Sequence, residues 1–549
     1  MSKSPLITLA CLTLALSSCE RHRVELEPGV LSISVEQHSA WVRNFNPLGP
    51  GQPRWPTRSG VYEPLLVSNG MTGAWVPWLA TSHSWSQDLE TLTFKIREGV
   101  KWSDGRPFSA KDVKFTFELL REHKALDRGA LWSFIESVDA PDARTVTIRF
   151  KRVYVPGLAD VASVPIVPEH VWSKIEDPIT FANPDPVATG PFTKVEVFRN
   201  QVYELGRNPH YWQPEKPKVK GLRFLAYPSN DQANLALIEG SVDWAGNFVP
   251  AIDRTYVARD PDHNTYWFPS FGAMIFLYVN TTKPEFSDAR VRKAMSMAID
   301  RERLVEIAMY DYTSPADPSG LPSAFAAWRD EVGESWIRFD RDRANALLDE
   351  AGMKRGAGGW RTTPDGAPME FEIDVVSGWS DWVRAAQVVA DNLEEVGVRA
   401  KVRPSEFGAW FSRLQNGEFS AAVSWSNEGD TPYNYYRYLM STKTVVPVGE
   451  SAPANWHRLG DPQTDELLEQ FEQAREDTER KALGKRLQAR FLDTAPAIPL
   501  FPGPVWAAYS TRRFDGFPTP ENPYARPSPN NAPDCLLVLT TLEPKEQTP

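Results

Sequence analysis

Hydrophobic and polar positions alternate every second residue in several short stretches, and each reads as a strand. These are LSISVE from Leu31, LETLTFKI over 89–96, TVTIRF over 145–150, 203–207, 219–226 and 371–376. The run AMIFLYVN over 273–280 lacks polar alternation and predicts a strand buried on both faces. Helical spacing replaces alternation elsewhere. Val291, Ala294, Met295, Ala298 and Ile299 fall on one face at i, i+3, i+4, i+7 and i+8, and Leu467, Leu468, Phe471 and Ala474 mark a helix after Thr464. Ser109 is placed to cap a helix opening at Ala110, and a short helix over 232–239 ends at Gly240. Residues 371–402 predict strand, helix (380–396), Gly397 as the residue past the helix end, and strand again, a βαβ-like unit. Six prolines between 518 and 533 exclude a regular element there and predict an extended covering segment. Mixed strands and helices in this order predict α/β or α+β layers.

At 549 residues the chain is long enough for two to four domains. Its 42% hydrophobic and 11% aromatic content can build large cores, and a net charge of −11 disfavours a nucleic-acid backbone as partner. The N-terminus has one charge, Lys3, then an apolar stretch to Leu16, the length of a signal-peptide core and too short to span a bilayer. No later stretch approaches a membrane span. Leu16-Ser17-Ser18-Cys19 resembles a bacterial lipobox, which implies cleavage before Cys19 and lipid on it; a plain signal peptide with an incidental cysteine is the alternative. Residues 20–28 then form a polar tether. Cys11 leaves with the leader and Cys19 carries lipid, so Cys535 stands alone, read as a small buried apolar residue with no disulfide.

Catalytic motifs are absent: there is no G-x-S-x-G, H-E-x-x-H or G-x-x-x-x-G-K-[ST], and the eight histidines show no metal-ligand spacing. A distant carboxylate pair of the glycosidase type needs no local motif, so a hydrolase stays as a minor alternative. No catalytic residue, metal or cofactor is assigned.

Several segments carry a family resemblance. LTFKIREGVKWSDGRPFSAKDVKFTFELL (92–120), VPIVPEHVW (164–172), ATGPF (188–192), ELGRNPHYW (204–212), ALIEGSVDWA (236–245) and FSDARVRKAMSMAIDRERLV (286–305) together resemble the family-5 extracellular solute-binding proteins, receptors for ATP-driven importers. The resemblance implies an α/β, bilobal periplasmic-binding-protein-like fold with a third domain and a hinged cleft. Domain I takes 29–61, 182–270 and 500–545, domain II takes 62–181 and domain III takes 271–499, with crossings near Ser270 and Pro499 as the hinge. It further implies an ABC permease with its ATPase as partner, a monomer, and an extracytoplasmic, periplasmic or cell-surface location.

Ser241–Asp253, Val376–Gln387, Val423–Ser441 and Ala454–Leu468 look like the oligosaccharide-binding branch of the family. Peptide receptors of the family hold the ligand's α-amine with an Asp in a "DYPDP"-like stretch; here that stretch reads NEGDTPYNYY, where Glu428 or Asp430 could stand in. The residue chemistry also suits a sugar. A flat indole covers the C–H face of a pyranose, and amides or carboxylates bond its hydroxyl rim. Tryptophan and such groups are neighbours at Trp244 with Asn247, Trp379 and Trp382 around Asp381, Trp425 with Asn427 and Glu428, and Trp456 beside Asn455; Trp41 lies where the family's cleft begins. Trp102, Trp172 and Trp212 read instead as packing, and Trp75, Trp78 and Trp85 as cover for domain II. The expected ligand is a short cello-, chito- or related oligosaccharide, with a peptide as the alternative.

Overall fold

A computed structural model describes residues 27–35, 37–49 and 60–546; Cys11, Cys19 and most of the expected tether lie outside them. Three sheets organise the chain. A seven-stranded sheet holds Val30–Ser34 at its middle, paired in parallel with Gly221–Leu225 and Trp244–Ala245. Phe192–Arg199 and Asn264–Tyr266 form its edges. A four-stranded antiparallel sheet is made from Ala80–Trp85, Thr91–Ile96, Thr145–Phe150 and Ile135–Asp142. A five-stranded mixed sheet runs Arg399–Ser405, Glu370–Val376, Ala421–Trp425, Met274–Val279 and Ile498–Pro502. Met274–Val279 is buried along its whole length, as the absence of alternation requires.

Local chemistry accounts for the element ends. Ser109 caps the helix Ala110–Glu122 in a capping box: its hydroxyl accepts from the Lys111 N–H, and its own N–H donates to Asp112 Oδ2 at 2.9 Å. Helix Ser380–Glu395 joins the parallel strands Glu370–Val376 and Arg399–Ser405, and Gly397 follows it at φ +82°. A side chain there would strike the Gly359 carbonyl as well as strain the backbone. The helix expected after Thr464 starts earlier, at Pro462, because Asp461 caps it by accepting from the Thr464 N–H at 3.0 Å. The segment 518–533 contains no regular element, and the buried Cys535 lies in the first turn of the following helix, Asp534–Thr541.

The chain leaves the seven-stranded sheet for the five-stranded one near 267–273 and returns near 503–507. The return falls later than the expected crossing at Pro499, because Ile498–Pro502 is a paired strand of the five-stranded sheet. The two crossings bind each other: Trp267 N–H donates to Ala507 O at 2.9 Å, Val505 N–H to Pro269 O at 2.9 Å, Gly272 N–H to Gly503 O at 3.0 Å and Gly503 N–H to Ala273 O at 2.8 Å. A Cβ on Gly272 would sit 2.5 Å from the Gly503 carbonyl, so only glycine lets the two connections lie this close.

Candidate functional site

Three adjoining cavities of about 500, 200 and 670 Å³ run along the seam beside these crossings, and Ala273 and Glu428 border all three. The 200 Å³ cavity is floored by the crossings themselves, through Gly272, Gly503 and Val505. Trp379, Trp382, Trp425 and Trp506 supply its aromatic walls, while Asn247, Asp381 and Asn530 supply polar groups. Trp425 and Trp456 face the 670 Å³ cavity, joined by Phe411.

The five-stranded unit positions the indoles. Trp425 ends strand Ala421–Trp425, Trp379 and Trp382 sit at the start of helix Ser380–Glu395, and Trp456 lies in a loop. The rings brace one another: Trp379 and Trp382 meet edge-on at 4.8 Å, and Trp425 and Trp456 at 5.9 Å. Trp410 supports Trp425 from behind at 5.5 Å. Edge-on contacts fix ring planes, so the walls are preorganised. Among the described residues, the buried Nε1 atoms of Trp379 and Trp456 and Oδ1 of Asn530 have no hydrogen-bond partner.

Asp381 is buried and accepts from Asn230 Nδ2 at 3.1 Å, a contact between the five-stranded and seven-stranded units. Burial pushes its carboxyl up to about 6, with Arg384 and the Asn230 amide acting in the opposite direction. Its folded value lies above the unfolded value near 3.8, so its contribution to stability is fully present below that value and is lost as pH rises through about 6. Relative to Asp381→Asn, the wild type should therefore lose roughly 2–3 kcal/mol between pH 4 and pH 6. Parallel denaturation curves for the two proteins across that window would refute the assignment.

The structure gathers Asn247, Trp379, Trp382, Trp425, Asn427, Glu428 and Trp456 around the cleft. It does not bring Trp41 or Trp244 there. Trp41 packs edge-on at 5.2 Å against Tyr203 of the seven-stranded sheet. Trp244 is 0% exposed, pairs in the seven-stranded sheet and donates Nε1–H to Pro527 O at 2.8 Å, so both its face and its donor are used internally. Asn455, beside Trp456, spends its amide on Leu459 O at 2.8 Å and Thr444 Oγ1 at 3.0 Å. Trp75, expected as cover, borders the 500 Å³ cavity. Asp430 borders it too and is exposed; the protein packed around its carboxyl displaces water and pushes it above the usual range, an effect that its exposure tempers. Trp102 and Trp172 are buried against Phe108 and Phe181, and Trp212 meets Trp78 edge-on while its N–H reaches the buried Glu63 carboxylate at 3.3 Å.

Sequence reading missed the wall supplied by the proline-rich tail: Arg526, Ser528, Asn530 and Asn531. The available signal was the amide pair Asn530-Asn531 inside a segment that cannot form a regular element. It also missed Phe248 and Trp506, which meet edge-on at 5.4 Å.

A cleft between α/β units joined by two adjacent crossings defines a bilobal solute-binding receptor of the periplasmic-binding-protein type, with a third domain. The chain belongs to the bacterial extracellular solute-binding proteins, family 5, whose middle region matches residues 74–445. The nickel-binding periplasmic protein of Escherichia coli K12 is 26% identical over 476 residues, covering 84% of this chain and 88% of that protein. Di/tripeptide-binding protein 2 of Pseudomonas aeruginosa UCBPP-PA14 is 26% identical over 454 residues, covering 77% and 80%. The mannohexaose-bound periplasmic oligopeptide-binding protein of an oligopeptide ABC transporter from Thermotoga maritima superposes with a TM-score of 0.88 at 25% identity, covering 95% of this chain and 100% of that one. The protein is thus the substrate-binding component of an ABC importer, and family-5 members are transport receptors, not enzymes. Among the described residues, no helix is long and apolar enough to cross a membrane, and no group of three or more His, Cys, Asp or Glu side chains could hold a metal ion.

Proposed function

We propose that the protein captures a short neutral oligosaccharide between its lobes and delivers it, as a monomer, to an ABC permease driven by an ATPase. The observation that carries this is the set of indole walls at the cleft: Trp379, Trp382, Trp425 and Trp456 border its cavities beside the polar groups of Asn247, Asp381 and Asn530, and the rings suit the flat C–H faces of a sugar. The sugar bound by the Thermotoga maritima relative supports the same ligand class. Closure would bend the paired crossings at Gly272 and Gly503, and the ligand would favour the closed state only through contacts that both lobes make.

Titration with cello-, chito-, manno- and xylo-oligosaccharides, followed by tryptophan fluorescence and calorimetry, tests the reading; saturable binding of one series supports it. Binding of peptides with a free α-amine, and of no sugar, would establish the peptide reading, which Glu428 and Asp430 at the cleft and the di/tripeptide-binding relative favour. Sugar cleavage during incubation would instead point to a hydrolase. We assign the membrane anchor to lipid on Cys19 of the LSSC sequence. Cys19→Ser should abolish fatty-acid labelling and release the protein from membranes; retained labelling would refute it.

A further inference from the structure

Arg526 comes from the proline-rich tail and is 8% exposed. Its Nη1–H donates to Glu428 Oε2 at 2.8 Å, and its Nε–H donates to Asp534, which is 0% exposed. The other Asp534 oxygen accepts the Gly70 N–H at 2.9 Å. A Cβ on Gly70 would collide with the guanidinium, so the backbone is shaped around this cation. Glu428 follows the last central strand of the five-stranded unit, whereas Arg526 and Asp534 lie in the C-terminal segment beyond the return crossing. Arg526 and Glu428 both border the 500 and 670 Å³ cavities, so the group belongs to the cleft wall.

The charges define a chemical preference. Two carboxylates flank one guanidinium, a planar, permanently charged donor suited to carboxylate oxygens. Without it, the position between Glu428 and Asp534 would be an anionic hole open to the cleft. Two other carboxylates around the 500 Å³ cavity are satisfied internally, Asp160 by the Tyr154 hydroxyl at 2.6 Å and by Asn434 at 3.3 Å, and Asp127 by the N–H groups of Leu131 and Trp132 at 2.8 and 3.0 Å, while Asp430 is exposed at its rim.

We infer that Arg526 is a specificity-determining residue, whose guanidinium fills the cation position between Glu428 and Asp534 so that the cleft takes hydroxyl groups there and rejects ammonium or guanidinium groups. For its ligand the inference rests on the oligosaccharide reading; for the cation position it does not.

The test uses Arg526→Met, Arg526→Lys, Glu428→Gln and the double variant Arg526→Met/Glu428→Gln, all in the full chain. Thermal melting is followed with ethylguanidinium chloride against sodium chloride, and binding is compared for chito-oligosaccharides and their deacetylated, amine-bearing counterparts. Ethylguanidinium should raise the melting temperature of Arg526→Met by about 3 °C or more and leave the wild type unmoved, because only the variant has the vacancy. The preference of Arg526→Met should shift at least about tenfold toward the amine-bearing sugar, while Arg526→Lys and the double variant should shift much less. An Arg526→Met protein with no cation-specific stabilisation and no shift in charge preference would overturn the inference. If the wild type binds no sugar, the ligand reading fails while the melting experiment still decides the cation position. If Arg526→Met does not fold, Glu428→Gln decides: removing its negative charge should move selectivity toward uronic-acid oligosaccharides, and unchanged selectivity would overturn the inference.

Discussion

Arg301→Met should lower the free energy of unfolding by about 3–5 kcal/mol, a larger stability effect than almost any surface substitution. Arg301 is buried and, among the described residues, has no carboxylate partner; its guanidinium is compensated by carbonyl and hydroxyl oxygens. It donates to Pro499 O at 2.7 Å, Ser296 O at 3.0 Å, Ile299 O at 3.3 Å, Ile337 O at 2.5 Å and Ser296 Oγ at 2.6 Å. Burial lowers its pKa to about 9, so it remains charged at neutral pH. A methionine replaces the aliphatic stem but leaves several buried carbonyls without donors, each costing about 1–3 kcal/mol if nothing replaces the bond. The acceptors tie together the helix Ala289–Ala298, the loop at Ile337 and the edge strand Ile498–Pro502, next to the return crossing. Denaturant unfolding followed by circular dichroism measures the loss; a change below about 1 kcal/mol would mean that the carbonyls find other donors.

The second large effect is on binding. Trp425→Ala should weaken oligosaccharide binding about 100-fold, the range of a central aromatic anchor. Trp425 faces both the 200 and 670 Å³ cavities and touches Trp379, Trp382 and Trp456. Its loss therefore removes one wall and frees three others. Trp172→Phe is the control: that indole is buried against Phe181 in a segment shared with the family, so its loss should reduce stability and leave affinity unchanged. Equal affinities for Trp425→Ala and wild type, measured calorimetrically on proteins of matched folded content, would remove Trp425 from the binding surface.

Much of the fold was legible because its determinants are local. Alternation located Thr145–Phe150, unbroken apolarity located Met274–Val279, and Ser109 located a helix start. The site was legible only where indoles sit at the ends of elements. Trp379, Trp382 and Trp425 stand at such ends and reach the cleft. Trp244 stands at a strand too, yet its N–H is taken by Pro527, 283 residues away, and nothing near Trp244 in the chain announces that partner. Trp41 is held against Tyr203 of the seven-stranded sheet, also remote in sequence. Arg526 was missed for the same reason, since Glu428 lies 98 positions distant.

The segment FSDARVRKAMSMAIDRERLV separates the two kinds of knowledge. Its pattern identified the family, but the work of its arginines appeared only in three dimensions: Arg292 donates to Ala495 O at 2.8 Å, Phe286 O at 2.6 Å and Thr494 O at 2.6 Å, and Arg301 to the oxygens described above. Strand and helix periods and caps follow from the order of residues, because backbone geometry and hydrophobic patterning act over a few neighbours, while the family and its transport role came from the resemblance of whole segments. The identity of the cleft wall, the close approach at Gly272 and Gly503, and the cation held between Glu428 and Asp534 depend on residues that meet only after the chain crosses between sheets twice. Burial and charge compensation are properties of that assembled space, which no single stretch of sequence contains.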